Sequence, residues 1–129
     1  MSGLSAIGFA AVGIGAALGA WLRWLLSLTL NHFFPALPPG TLVANLIGGY
    51  LIGIALGVIE QNSGMSPELR LFVITGFLGG LTTFSSFSAE SVLLLQTGHY
   101  DLALLHMLSH LAGSLLLTFC GVWTVKMML

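Results

Sequence analysis

Four long runs of apolar residues constrain the fold of this chain more than any other feature. They cover roughly residues 4–30, 39–60, 67–95 and 99–128. A helix needs about 20 predominantly apolar residues to cross a hydrocarbon core about 30 Å thick. Each run meets that requirement, so the sequence predicts an all-α integral membrane protein with four transmembrane helices in one domain, residues 1–129.

The composition excludes several classes of protein. Hydrophobic residues make up 57% of the chain and charged residues 5%, whereas soluble domains carry about 25% charged residues. The connections between the runs are too short to hold a soluble catalytic site, and no nucleophile, base and orienting group converge in sequence. We therefore expect a function within the lipid bilayer and no enzyme activity. The net charge of −1 and the lack of a basic run argue against nucleic acid as a partner.

Charge places little constraint on how the chain is oriented in the membrane. An even number of spans puts both termini on one side, with Arg70 and Lys126, while Arg23 lies near the other face. Two basic residues on one side against one on the other give only a very weak positive-inside signal. Four helices of this length also leave no room for an aqueous pore of their own, so we expect an oligomer.

Glycines at four-residue intervals indicate close helix packing. The first span contains Gly15 and Gly19, and the second contains Gly49, Gly53 and Gly57. Small residues at this spacing form faces on which membrane helices approach each other closely. We interpret them as packing faces.

Polar side chains inside a membrane are costly and often functional. Asn45 in the second span could form an interhelical hydrogen bond or line a pore. In the fourth span His106, His110, Ser114 and Thr118 recur every four residues and so lie along one face. This stripe favours a track for a polar solute. The two histidines also fit half of a metal site, although no third ligand lies nearby in sequence.

The third span contains poor helix formers near its middle. Gly79 and Gly80 are followed shortly by Thr82 and Thr83, and glycine and threonine both have low helix propensity. The sequence therefore predicts that the third helix is broken in mid-membrane. Freed carbonyls at such a break favour a cation, and Gly79 and Thr82 are the natural donors.

Two phenylalanines follow the predicted break. Phe84 and Phe87 are three residues apart, so they share a helix face among serines. The positive edge of an aromatic ring could receive an anion without any full charge. On spacing alone, ordinary core packing is favoured.

Three segments together resemble the CrcB or Fluc family of fluoride channels. They are Gly79–Ser88, Gly40–Asn45 and Gly19–Trp24, and the likeness extends over all four spans. The resemblance implies an antiparallel, dual-topology homodimer with two fluoride pathways and a central sodium ion. It also implies passive fluoride efflux that lowers cytoplasmic fluoride, in the inner membrane of a bacterium.

The resemblance implies roles for particular residues. Those lining the fluoride pathway would be Asn45, Phe84, Phe87, His110, Ser114 and Thr118. Gly79 and Thr82 would offer backbone carbonyls to the sodium ion, and Arg23 would raise the anion concentration in a vestibule or extend to the lipid headgroups. Glu90 matches an acidic position of the family, and its physical role stays open.

Two other classes of protein fit part of the sequence. A proton-coupled exporter of the small multidrug type is also four-helical, but it needs a carboxylate in the middle of the first span, where this chain has none. A non-transporting scaffold would need only the glycine faces. That interpretation leaves the polar stripe and the predicted break unexplained.

Overall fold

The protein is all-helical in a computed structural model that describes residues 4–62 and 64–129. We number its helices in chain order. They are α1 (Ala6–Leu30), α2 (Pro39–Gln61), α3 (the contiguous segments Pro67–Arg70, Leu71–Leu78 and Gly79–Leu81), α4 (Phe84–Gln96) and α5 (Tyr100–Met128). A short 3₁₀ turn, Asn31–Phe33, follows α1. Taking α3 and α4 together, four helical stretches within residues 4–62 and 64–129 are long and apolar enough to cross a membrane.

Side-chain caps define where several helices begin. Ser66 Oγ accepts a hydrogen bond from the Leu69 amide at 3.2 Å, and Pro67 occupies the first helical position. Serine at this position satisfies a free helical amide, and proline at the first helical position needs no donor. Asn31 Oδ1 accepts from the Gly40 amide at 2.7 Å, which ties the end of α1 to the start of α2.

The helices pack through their glycines, as predicted. Two pairings dominate the packing: α2 lies along α5, and α1 lies along α3. A side-chain carbon at Gly53 would lie 3.0 Å from Gly121 Cα, and one at Gly15 would lie 2.9 Å from the Phe77 amide nitrogen. One at Gly19 would clash with a backbone carbonyl of α3. Only glycine permits backbones this close, so these faces determine which helices are neighbours.

Two extended residues separate α3 from α4. Thr82 has φ −85° and ψ 155°, and Thr83 has φ −148° and ψ 124°. Gly79 and Gly80 themselves stay helical, after the π-helical segment Leu71–Leu78. Threonine is β-branched and tolerates extended backbone well, which accounts for the position of this interruption within the glycine- and threonine-rich stretch.

The buried core lies directly beside the interruption. Ala44 of α2 packs with Leu78 and Leu81 of α3, and Ala44 and Leu81 are fully buried. Partly buried leucines of α1 and α2 surround them. The last turn of α3 is therefore clamped between α1 and α2, which fixes where the extended residues lie.

Candidate functional site

An open groove of about 480 Å³ lies where α3 gives way to α4. Its walls come from α2, α3, α4 and α5, and most of them are apolar. Eight of the residues assigned roles by resemblance line it: Asn45, Gly79, Thr82, Phe84, Phe87, His110, Ser114 and Thr118. The groove thus gathers side chains that are far apart in sequence into one continuous surface.

Asn45 bridges the extended backbone at Thr83. Asn45 Nδ2 donates to the Thr83 carbonyl at 3.0 Å, and Asn45 Oδ1 accepts from the Thr83 amide at 2.8 Å. The same Nδ2 lies 3.0 Å from His110 Nδ1. Asn45 therefore lines the groove and also makes interhelical hydrogen bonds that hold Thr83 extended.

Thr83 is the principal residue of the site that sequence reasoning did not single out for a role. Its Oγ1 accepts from the Ser86 amide at 3.0 Å and so caps α4. Threonine is a preferred residue at the position just before a helix, and this N-cap signal could have identified it. What the sequence does not indicate is that Asn45 binds both of its backbone polar groups.

The interruption removes the helical donors of several backbone carbonyls, among them those of Gly79 and Thr82. In an uninterrupted α-helix the Thr83 amide would bind the Gly79 carbonyl, and the Ser86 amide would bind the Thr82 carbonyl. Here the Thr83 amide binds Asn45 and the Ser86 amide binds Thr83 Oγ1. The Gly79 and Thr82 oxygens have therefore lost their helical donors, and neutral carbonyl oxygens of this kind are suited to a hard monovalent cation.

Aromatic rings form one end of the groove. The ring centroids of Phe84 and Phe87 are 5.6 Å apart with planes 57° apart. Phe87 also lies 4.8 Å from the His110 ring and stacks on the His106 ring at 5.4 Å. Phe87 is thus held between neighbours, whereas Phe84 is 79% exposed on the open side.

The stripe predicted on the fourth span divides in the structure. His110, Ser114 and Thr118 of α5 line the groove, whereas His106 is buried outside it, behind Phe87. Thr118 Oγ1 lies 2.9 Å from the Gly49 carbonyl oxygen and 2.8 Å from the Ser114 carbonyl oxygen. Its single hydroxyl proton is donated to these two backbone acceptors. The Ser114 hydroxyl, one turn away on the same face, continues the polar wall.

Arg23 and Glu90 lie outside the groove. Arg23 Nε donates to the Gly80 carbonyl at 3.0 Å, from the α1 side of α3. Glu90 lines a separate cavity of about 210 Å³ with Pro35, Thr97 and His99. Neither of its carboxylate oxygens has a hydrogen-bond partner among the residues that the structure describes.

Comparison with known proteins gives a consistent result. Residues 10–122 match the family model described as CrcB-like protein, Camphor Resistance (CrcB). The chain is 59% identical over 123 residues to a protein of Ralstonia pickettii, covering 95% of this chain and 98% of the relative. It is 61% identical over 122 residues to one of Cupriavidus pinatubonensis, covering 95% and 97%, and 61% identical over 116 residues to one of Nitrosospira multiformis, covering 90% and 91%. Each relative is named fluoride-specific ion channel FluC.

Proposed function

Because the chain belongs to the CrcB family, we propose that it is a fluoride-specific ion channel that lowers cytoplasmic fluoride by passive efflux. The observation that carries this conclusion is identity of about 60% to fluoride channels over nearly the full length of both chains. The protein is a multi-pass membrane protein and not an enzyme. Since the relatives are bacterial, we place it in a bacterial inner membrane.

The groove supports a mechanism that needs no full charge along the path. A dehydrated fluoride ion must exchange its water for protein donors. The ring edges of Phe84 and Phe87 and the hydroxyl of Ser114 provide weakly positive groups on the groove wall. Such groups bind an anion well enough for it to enter and weakly enough for it to leave. Thr118 and His110 complete the wall of this pathway on α5.

Asn45 contributes to the pathway under a constraint. Both N–H groups of its amide are already directed at protein acceptors, the Thr83 carbonyl and His110 Nδ1. An anion that binds the Asn45 amide therefore has to share a donor with one of them. Arg23 acts from outside the groove and raises the local anion concentration electrostatically.

The open side of the groove supports a homodimer. The Gly79 and Thr82 carbonyls, which lack their helical donors, cannot face lipid, because hydrocarbon offers no hydrogen-bond partners. Phe84 is 79% exposed on that side of the single chain. A second copy that covers the groove would enclose two pathways, and the weak charge bias favours an antiparallel arrangement with the break at mid-membrane depth.

Antiparallel assembly predicts insertion in both orientations. Topology reporters fused after Leu129 should signal from both sides of the membrane in similar amounts, because nothing in the charge distribution strongly favours one side. As a control, added lysines at the C-terminus should shift the signal to the cytoplasmic side. A single orientation in every unmodified molecule would rule out the antiparallel dimer.

The Gly79 and Thr82 carbonyls, which have lost their helical donors, support a structural sodium ion. Gly79 and Thr82 of each subunit would hold it at the dimer axis, where a cation neutralises the carbonyl ends of two helices. Replacing sodium with N-methylglucamine should then lower the thermal stability of the purified dimer and reduce its flux. If stability and flux are both indifferent to the exchange, no sodium site is present.

A flux assay tests the proposed function directly. Purified protein in liposomes loaded with potassium fluoride should release fluoride once valinomycin clamps the potential, with no proton gradient imposed. Chloride should leave far more slowly, because the larger ion does not fit between the rings. Protein-free liposomes provide the background rate. A fluoride rate equal to that background would refute the channel, and a strict requirement for a proton gradient would favour an exporter.

A further inference from the structure

The backbone of Thr83 determines the protonation of His110. A backbone amide can only donate and a backbone carbonyl can only accept, so Asn45 must direct Oδ1 at the Thr83 amide and Nδ2 at its carbonyl. The second proton of Nδ2 then meets His110 Nδ1 at 3.0 Å. His110 Nδ1 must accept this bond, so a neutral His110 carries its proton on Nε2.

The surroundings of His110 keep the ring in this orientation. The residue is 4% exposed, and its ring centroid lies 4.8 Å from that of Phe87 and 4.5 Å from that of His106. A ring turned over would direct Nδ1 away from Asn45. Contacts on two sides therefore restrict the exchange of its two nitrogens.

This arrangement leaves one polar group unsatisfied. His110 Nε2 is buried and has no hydrogen-bond partner within residues 4–62 and 64–129. A buried donor without a hydrogen-bond partner is energetically costly. The ring thus holds Asn45 through Nδ1, while Nε2 makes no hydrogen bond within the described part of the chain.

We propose that His110 is a positioning residue, which acts in its neutral, Nε2-protonated form by holding the Asn45 amide against both backbone groups of Thr83. This inference rests on the proposed channel function and adds a role that lining the groove does not require. His110 accepts the second Nδ2 proton and so secures the direction that Thr83 gives the Asn45 amide. Asn45 in turn holds the extended residue, and the extended residue leaves the Gly79 and Thr82 carbonyls free. A side chain on α5 thereby controls the shape of the interruption between α3 and α4.

Spectroscopy tests the protonation state independently of transport. In protein labelled with ¹⁵N-histidine, the His110 signals are identified by their loss in His110→Gln. At neutral pH they should show a protonated Nε2 and an unprotonated Nδ1. A protonated Nδ1 would overturn the proposal, whether or not the protein conducts fluoride.

Flux in a double-mutant cycle tests the positioning role. His110→Leu removes the acceptor and should lower fluoride flux about fivefold to tenfold, as expected for loss of one hydrogen bond. His110→Gln supplies a carbonyl acceptor and should recover most of that loss. In an Asn45→Ser background, His110→Leu should have little further effect, because the residue acts through Asn45. His32→Leu, on the exposed turn after α1, is the matched control.

The outcomes separate this inference from the proposed function. Additive effects of the two substitutions, or equal loss of flux in the leucine and glutamine variants, would contradict the positioning role. Where flux in Asn45→Ser is too low to measure, the same cycle is read from thermal stability of the purified protein. Absence of flux in the unmodified protein would refute the channel, while the ¹⁵N signals and the stability cycle would still decide the role of His110.

Discussion

Replacing Phe87 with isoleucine should lower fluoride flux by about tenfold to a hundredfold while leaving the protein assembled. Isoleucine retains apolar bulk but lacks the positive ring edge that faces an anion in the groove. Loss of contacts worth about 1.4–2.8 kcal/mol in the limiting step corresponds to that range. The measurement is the initial rate of fluoride release from liposomes at equal protein density.

The structure provides a matched control for this substitution. Phe119 is 73% exposed on α5 and does not line the groove, so Phe119→Ile removes a ring without changing the pathway and should leave flux unchanged. Because Phe87 also contacts the rings of His106 and His110, size-exclusion elution and thermal stability must be compared as well. Flux within twofold of the unmodified protein would show that the ring edge of Phe87 is not used.

Replacing Asn45 with aspartate should abolish fluoride flux. The carboxylate has no N–H, so one of its oxygens would face the Thr83 carbonyl. That carbonyl and His110 Nδ1 would both lose the donor that Asn45 provides. A negative charge in the groove would also repel the permeating anion. The combined penalty should exceed about 3 kcal/mol, which is more than a hundredfold in rate. Flux and the thermal stability of the purified protein should both fall.

Asn31→Asp is the control for that experiment. Asn31 Oδ1 accepts from the Gly40 amide, and aspartate preserves this acceptor. The same chemical change should therefore be tolerated there. If Asn45→Asp retained flux within tenfold of the unmodified protein, the bridge from α2 to Thr83 would not be needed for conduction.

Properties that depend on local sequence could be predicted well. Four apolar runs of sufficient length specify four spanning helices, because the bilayer demands about 20 apolar residues from each. The cap at Ser66 and Pro67 depends on neighbours in the chain, and the packing faces at Gly15 and Gly53 follow from helical periodicity. The glycine- and threonine-rich stretch after Gly76 likewise indicated where helix formation would be weakest.

Properties that depend on contacts between distant segments required the tertiary structure. Asn45 meets Thr83 across 38 residues and His110 across 65 residues, and no local pattern specifies such pairs. These contacts decide that Thr82 and Thr83 are extended while Gly79 and Gly80 stay helical. Tertiary packing also separates His106 from the groove, although its spacing matches that of His110, because Phe87 of α4 covers His106. Local spacing determined which side chains share a face, and only the packing of α2, α4 and α5 decided which of them meet.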